Sequence, residues 1–320
     1  ESYGRQIEKF RAGDESAQSL PGWAEFRERF GDSAAARDLF ADIAERDREL
    51  LELYDEFLKA TRSIDMSTSE VERRARVAIH ARPLKDYVFE IGATRLGARG
   101  GLPIETLAAC ILIDCDPLIR EQRSISLAVF NFFRDPVNVA VFKKSRHYPV
   151  LRAGAARWLS ESNIRIQSLM LAMRLEIPEV ALALGREAVE AYAPVESSFT
   201  DEASEAARIG IIACAKYGDS SDLQRLAPLL SKTIVVQTWI TIDNETASGQ
   251  LRDIALAYSA HLAGVDAKRL GFPYLQESPE TIFIPYSISF VEERQREAAH
   301  EAWRRLRQGN PAAKPSNLSN

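Results

Sequence analysis

The sequence predicts an all-α chain in which helix pairs stack into an α-solenoid, interrupted by one small β-hairpin insertion. Three observations carry this expectation. Apolar residues recur at helical spacing along most of the 320 residues, with Arg, Asp and Glu between them. Such segments return at regular intervals: candidate first helices at 118–133, 163–175, 203–217 and 251–263 start 45, 40 and 48 residues apart. The stretch "TIVVQTWITIDNETASGQ" (233–250) breaks this pattern with β-branched residues around Trp239 and the turn pair Asp243-Asn244, as a hairpin would. Two helices in every 40 to 47 residues or so is the period of HEAT-type repeats, in which each pair leaves an apolar face that only a neighbouring pair can cover.

Taken in order, the first twenty residues are polar and short of apolar partners. Residues 21–60 read as helices punctuated by Gly31, with Asp32 or Ser33 as a cap. Leu39, Phe40, Ile43, Leu50, Leu51, Tyr54, Phe57 and Leu58 form their apolar stripe. "IDMSTSE" (64–70) interrupts, and Thr68 or Ser69 opens a helix at 70–81 with a solvated Arg-rich face. The expected organisation is an N-terminal helical segment, 1–66, packed on a HEAT-like repeat domain, 67–309, with a disordered tail at 310–320.

Within the repeat domain the second helices fall at 149–160, 179–192, 222–231 and 291–307. The pair at 205–230 is the clearest. Ala207, Ile211, Cys214 and Ala215 make one stripe, Gly218 is a candidate for the left-handed closing conformation, and Asp219 or Ser220 caps the next helix. Leu223, Leu226, Ala227 and Leu230 then face back. "LRDIALAYSAHLAGVDAKRLGF" (251–272) repeats the logic, with Leu251, Ile254, Ala255, Tyr258 and Leu262 inward and Gly264 and Asp266 turning the chain. The proline-punctuated stretch 271–290 is expected to lie across the last helices.

Composition narrows the function classes. With 46% hydrophobic and 27% charged residues the chain is an ordinary globular one. A net charge of -5 argues against nucleic acid as the dominant partner, because a broad electrostatic footprint for phosphate is missing. The longest apolar run, around 108–113, is far too short to span a bilayer, so no transmembrane segment is expected. The chain opens at Glu1 rather than Met, as a trimmed chain or one relieved of an export signal would. Three cysteines make no disulfide framework; Cys110 and Cys115 point about 140° apart on a helix, and buried thiols are expected, with a Cys115–Cys214 contact left open.

Motifs that carry chemistry are scarce. His80, His147, His261 and His300 are too dispersed for a local zinc site, and neither metal nor cofactor is expected. P-loop, G-x-G-x-x-G, G-x-S-x-G and Cys-x-x-Cys patterns do not occur. "IDCDP" (113–117) reads as a helix end with Asp116 before Pro117, and "GARGGLP" (97–103) as a loop. Adjacent helical residues diverge by about 100°, so Arg252 and Asp253 are no mutual pair. Each can instead reach a neighbouring repeat, and Arg208 is a candidate to stack in register with Arg252, making Arg208, Arg252 and Asp253 a structural polar ladder. The runs at Arg73-Arg74-Arg76 and Arg304-Arg305-Arg307 read as solvated helix faces. Trp239 is the one aromatic singled out, either packed on the solenoid or exposed as a partner anchor.

Several segments together resemble a family. The 251–272 stretch, then "ETIFIPYSISF" and "EERQREAAHEAWRRLR", are similar to the C-terminal part of uncharacterised helical-repeat proteins of planctomycete bacteria, and "GWAEFRERFGDSAAARDLF" to an N-terminal segment of them. In that family an Arg-Asp-hydrophobic-Ala helix precedes a Gly-x-Asp-x-Lys turn and a Gly-Phe pair, and a later helix carries a Trp, matched by Trp303. Ala263 stands where the family more often has Thr. The resemblance implies a HEAT-like fold, often exported or periplasmic, and brings no catalytic residues. The expected function is a non-enzymatic scaffold that binds another protein. The alternatives are a HEAT-like enzyme or nucleic-acid or small-ligand binder with a dispersed site, and a structural subunit of a cell-envelope assembly.

Overall fold

Helical periodicity becomes helix along most of the chain. The computed structural model describes residues 3–14, 20–65, 67–95, 101–192, 202–241 and 244–309, so the tail expected at 310–320 lies outside the described residues. Sixteen α-helices and two two-stranded ribbons occur among them, which makes the protein all-α in the main. None of these helices alone is long and apolar enough to cross a membrane. Two compact units divide the chain at residues 177 and 178. This division differs from the boundary the sequence suggests at 66–67, because helices from both sides of that point share one core.

The first unit contains α1 (Tyr3–Arg11), α2 (Trp23–Phe30), α3 (Ala34–Arg46), α4 (Arg48–Arg62), α5 (Glu70–Arg95) and α6 (Ile104–Asp114). It continues with α7 (Pro117–Arg120), α8 (Arg123–Phe132), α9 (Pro136–Lys144), α10 (Tyr148–Glu161) and α11 (Arg165–Arg174). Its centre is α6, buried on every side from Thr106 to Asp114 and packed against α3, α8 and α10. A helix apolar all round has no face to give to water, which is why the longest apolar run became the core element. Ser33 supplies the cap of α3, accepting from the Ala36 amide at 3.0 Å, while Gly31 takes φ 92° between α2 and α3.

Three differences from the sequence reading have local causes. The polar N-terminus contains α1, docked by the buried Ile7 and Phe10 and by Arg11, which stands 2.6 Å from Asp42; the Phe10 ring meets Trp23 at 4.8 Å and Phe40 at 5.8 Å. The helix expected to end at residue 81 runs on through Pro83, which lies exposed. Val77, Ala81, Leu84, Val88 and Ile91 continue one buried stripe past it, and that packing outweighs the roughly 3 kcal/mol that an interior proline costs. The single helix expected at 118–133 is two, α7 and α8, parted where the Gln122 amide turns back to the Ile119 carbonyl at 2.7 Å.

The second unit contains α12 (Pro178–Glu190), α13 (Glu202–Tyr217), α14 (Leu223–Leu226), β1 (Val235–Ile240), β2 (Thr246–Gln250), α15 (Leu251–Leu262), β3 (Glu277–Ser278), β4 (Ile282–Phe283) and α16 (Glu293–Gly309). Here α13 and α15 are the buried spine. At the crossing of α12 and α13, a Cβ on Gly210 would stand 2.7 Å from the Gly185 carbonyl, so glycine on both helices lets them approach closely. Gly264 does turn left-handed, at φ 69°, but Gly218 does not. Its lack of a side chain serves another purpose: the Asp222 carboxylate occupies the space a Cβ would need. Asp219 is the cap there, accepting from Ser221 at 2.7 Å. The helix expected at 222–231 is the single turn α14 continued by a 3₁₀ turn over Ala227–Ser231. The tighter winding shifts the phase, burying Leu226 and Leu229 and leaving Ala227 exposed.

Candidate functional site

The hairpin forms where β-branched residues demand it. β1 and β2 are antiparallel with Trp239 opposite Ala247, and a register shift lies between Val235 and Gln237. Trp239 and Gln237 share a face, since side chains alternate along a strand. That face rests on residues 285–290. The Trp239 indole N–H donates to Ser289 Oγ at 2.7 Å, and the Gln237 amide donates to the Ile288 carbonyl at 3.0 Å. Opposite Gln237 stands Gly249, where a Cβ would meet the Ile288 carbonyl at 2.6 Å; only glycine lets the two segments come this close. Around the Trp239 ring stand Tyr274, edge-on at 5.4 Å, and Tyr286, tilted by 56° at 5.7 Å. Trp239 and Tyr274 are half-buried and Tyr286 is 49% exposed, so the three rings make a platform fixed from behind and open in front.

A buried ionic knot holds this platform to the helices. Asp253 is fully buried and accepts from Arg296 Nε at 2.9 Å and from the Gln250 amide at 2.8 Å, with His300 Nε2 at 3.2 Å. Arg296 also donates to the Ser248 carbonyl at 2.9 Å and to its hydroxyl at 3.0 Å, and it pairs with Glu293. Ser248 in turn exchanges both backbone bonds with Phe290, at 2.9 and 3.0 Å. One carboxylate thereby ties α15, α16, β2 and the 285–290 segment together. The charges satisfy one another, which is the condition under which a buried pair is tolerated.

The remaining members of the expected ladder are placed differently. Arg252 reaches α16, at 2.5 Å to Glu293 and 2.8 Å to Glu297, and its guanidinium holds Glu297 below the usual carboxylate range. Arg208 is bound at 2.6 Å to Glu205, three residues back on its own helix. Arg208 and Arg252 therefore use separate partners, because a carboxylate one turn away is nearer than the next helix. The decisive partner of Asp253, Arg296, was not singled out in the sequence; only its place on the polar face of α16 hinted at it.

Other titratable clusters are closed by their neighbours. Asp42 of α3 lies 2.9 Å from His147 Nε2, and Asp38, Asp42 and His147 bring three ligand-type atoms within 4.8 Å of one another. Arg11 and Arg146 each stand 2.6 Å from the Asp42 carboxylate and fill the place a cation would take. Partial burial works to raise the Asp42 pKa, but hydrogen bonds from Arg146 and His147 and the Arg11 charge outweigh it and leave it lowered. Asp116 caps α7, accepting from Leu118 at 2.8 Å, as the helix-end reading has it. Asp114, the other carboxylate of "IDCDP", is a buried hub rather than part of the helix end: Ser126 Oγ donates to it at 2.5 Å and Trp158 Nε1 at 2.7 Å. Burial pushes its carboxyl up to about 6 despite those two donors. The three cysteines are free and buried, and burial pushes the Cys115 and Cys214 thiols up to about 12. The arginine runs are spent on near neighbours, Arg73 and Arg74 on Glu70, Arg76 on Glu72, Arg304 and Arg305 on Glu301. In comparisons with protein-family models, curated proteins and solved structures, nothing matches this chain.

Proposed function

We propose that the protein is a non-enzymatic binding module, a HEAT-like stack of helix pairs that docks a partner protein on the platform of Trp239, Tyr274 and Tyr286. The observation that carries this reading is the way the rings are held. The polar end of Trp239 is anchored to Ser289 while the Tyr286 ring stays half open, so a partner would meet aromatic surface already ordered. Aromatic residues fixed in this manner bind with little loss of rotamer freedom and make typical hot spots. The all-round burial of α13 and α15 supports stacking, since each needs neighbours on more than one side. Membership of the exported planctomycete helical-repeat family belongs to the same proposal. The non-enzymatic reading rests on how His147 and His300 are used, each engaged by a carboxylate that an arginine also binds.

The test is capture of the tagged chain from its native cell extract, with stoichiometric identification of what accompanies it. Tyr286→Ala, an exposed change, should release a genuine partner by roughly tenfold or more, and Trp239→Ala by at least as much. Circular dichroism would establish that both variants remain folded. A folded Tyr286→Ala protein that keeps its partner undiminished would overturn the platform, and a wild-type chain that brings down nothing would overturn the scaffold.

A further inference from the structure

The first unit contains a pocket of about 210 Å³ between α8 and α11 whose construction points to a ligand. Helix geometry lays it out. Leu127, Phe130 and Asn131 share one face of α8, and Arg134 stands in the turn just past its end; Gln167, Met170, Leu171 and Arg174 share one face of α11, 40 residues later. The buried rings of Phe130 and Phe133 and the Leu171 side chain give an apolar floor, with Arg174 at the end of α11 and Arg134 just beyond α8.

Those two arginines distinguish the pocket. Arg134 reaches only Asn131 Oδ1 at 3.4 Å, and Arg174 only the Phe133 carbonyl at 3.5 Å. Among the described residues neither has a carboxylate, although cations nearby do: Arg120 and Arg157 hold Glu161, and Lys143 holds Glu176. In a chain with 46 acidic and 41 basic residues, two guanidiniums that meet only neutral acceptors at one apolar mouth make a place where an anion is favoured. An anion alone would not use the floor. A cavity of about 150 Å³ lined by apolar side chains already accepts benzene, so this volume admits one aromatic ring with a short acidic arm. Guanidinium forks match a carboxylate in geometry as well as charge.

We propose that this pocket binds a small aromatic monocarboxylate, its ring against Phe130 and Phe133 and its carboxylate between Arg134 and Arg174. This site is independent of the aromatic platform and stands or falls without it. Trp158 provides a reporter, because its ring stacks on Phe130 at 4.6 Å.

The experiment is a nuclear magnetic resonance titration of the full chain with phenylacetate, following the Trp158 indole and the amides of Phe130 and Leu171. Saturable shifts confined to these groups are expected. Arg134→Gln and Arg174→Gln, both on exposed side chains, should each weaken binding by roughly tenfold. Phenylethanol, the neutral counterpart, should bind as weakly as those variants, and inorganic phosphate should leave the Trp158 signal in place. Absence of saturation with phenylacetate would overturn the proposal. So would equal binding of the alcohol, indifference to both arginine variants, or a phosphate response equal to that of phenylacetate.

Discussion

Asp114 and Asp253 are both fully buried aspartates on helices of the two units' cores, and they are kept there by opposite means. Asp114 meets only neutral donors, the hydroxyl of Ser126 and the indole of Trp158, and it holds its proton up to about pH 6. Asp253 meets the Arg296 guanidinium and the His300 ring, and the charge is answered in place. In one unit burial is tolerated by making the carboxyl easier to neutralise, in the other by pairing it. The contrast teaches that the same residue in the same degree of burial can be a hub of neutral donors or an ion-paired lock, according to what faces it.

Removing the lock should have the largest effect. Asp253→Ala leaves the buried Arg296 with only the exposed Glu293 as counter-charge, and about 3–5 kcal/mol of stability should be lost, seen as a lower urea midpoint and faster amide exchange in β2. A loss below about 1 kcal/mol would mean that Arg296 finds an equivalent partner and that the knot is dispensable.

The hub should show itself through pH. Its folded pKa, about 6, lies above the ordinary 3.8 of an aspartate, so the folded state binds the proton more tightly than the unfolded chain does. Its stabilising contribution is complete below about pH 4 and is lost as pH rises through about 6, amounting to about 3 kcal/mol in all. Asp114→Asn should remove this dependence. The difference in unfolding free energy between variant and wild type, measured from pH 4 to 7, isolates it from Asp42 and Glu161, whose carboxyls are shifted the other way. A flat difference would show that Asp114 is not protonated in the fold.

Smaller effects sharpen the comparison at the contacts around each aspartate. Gly154→Ala would press on the Phe30 ring in the first unit, and Gly249→Ala on the Ile288 carbonyl in the second. Each should cost about 1–3 kcal/mol by thermal unfolding, and Gly249→Ala should also expose Trp239, read as a red shift of its emission. At the low end, Glu297→Gln removes one exposed partner of Arg252 and should change stability by under about 1 kcal/mol, as equilibrium unfolding would show. A larger loss would move Arg252 from the rim of the knot into its centre.

How much of this could be read in advance depended on how far apart in the chain the interacting residues lie. Ser33, Asp116 and Asp219 act within three residues of themselves, and their capping roles follow from local spacing alone. Trp239 was marked by the β-branched run around it, and Gly264 by its place at a helix end. Asp253 stands out beside Arg252 on its helix, but its partner Arg296 is 43 residues away, and Arg208, expected in register with Arg252, is bound to Glu205 instead. Asp114 stands out locally only as one of two carboxylates around Cys115, because its donors, Ser126 and Trp158, lie 12 and 44 residues along on other helices. Tyr274 and Tyr286 looked like ordinary members of a proline-punctuated stretch until the hairpin was laid against them.

The sequence by itself determined that the chain is helical, where several of its helices begin and end, and that a hairpin interrupts them near Trp239, because periodicity, caps and turn chemistry act over a few residues. Only the tertiary structure decided which charges meet, which glycine admits a backbone rather than a turn, and which rings stay open. Those outcomes depend on the few ångströms between elements brought together across the chain, where burial turns a weak local preference into a specific partner.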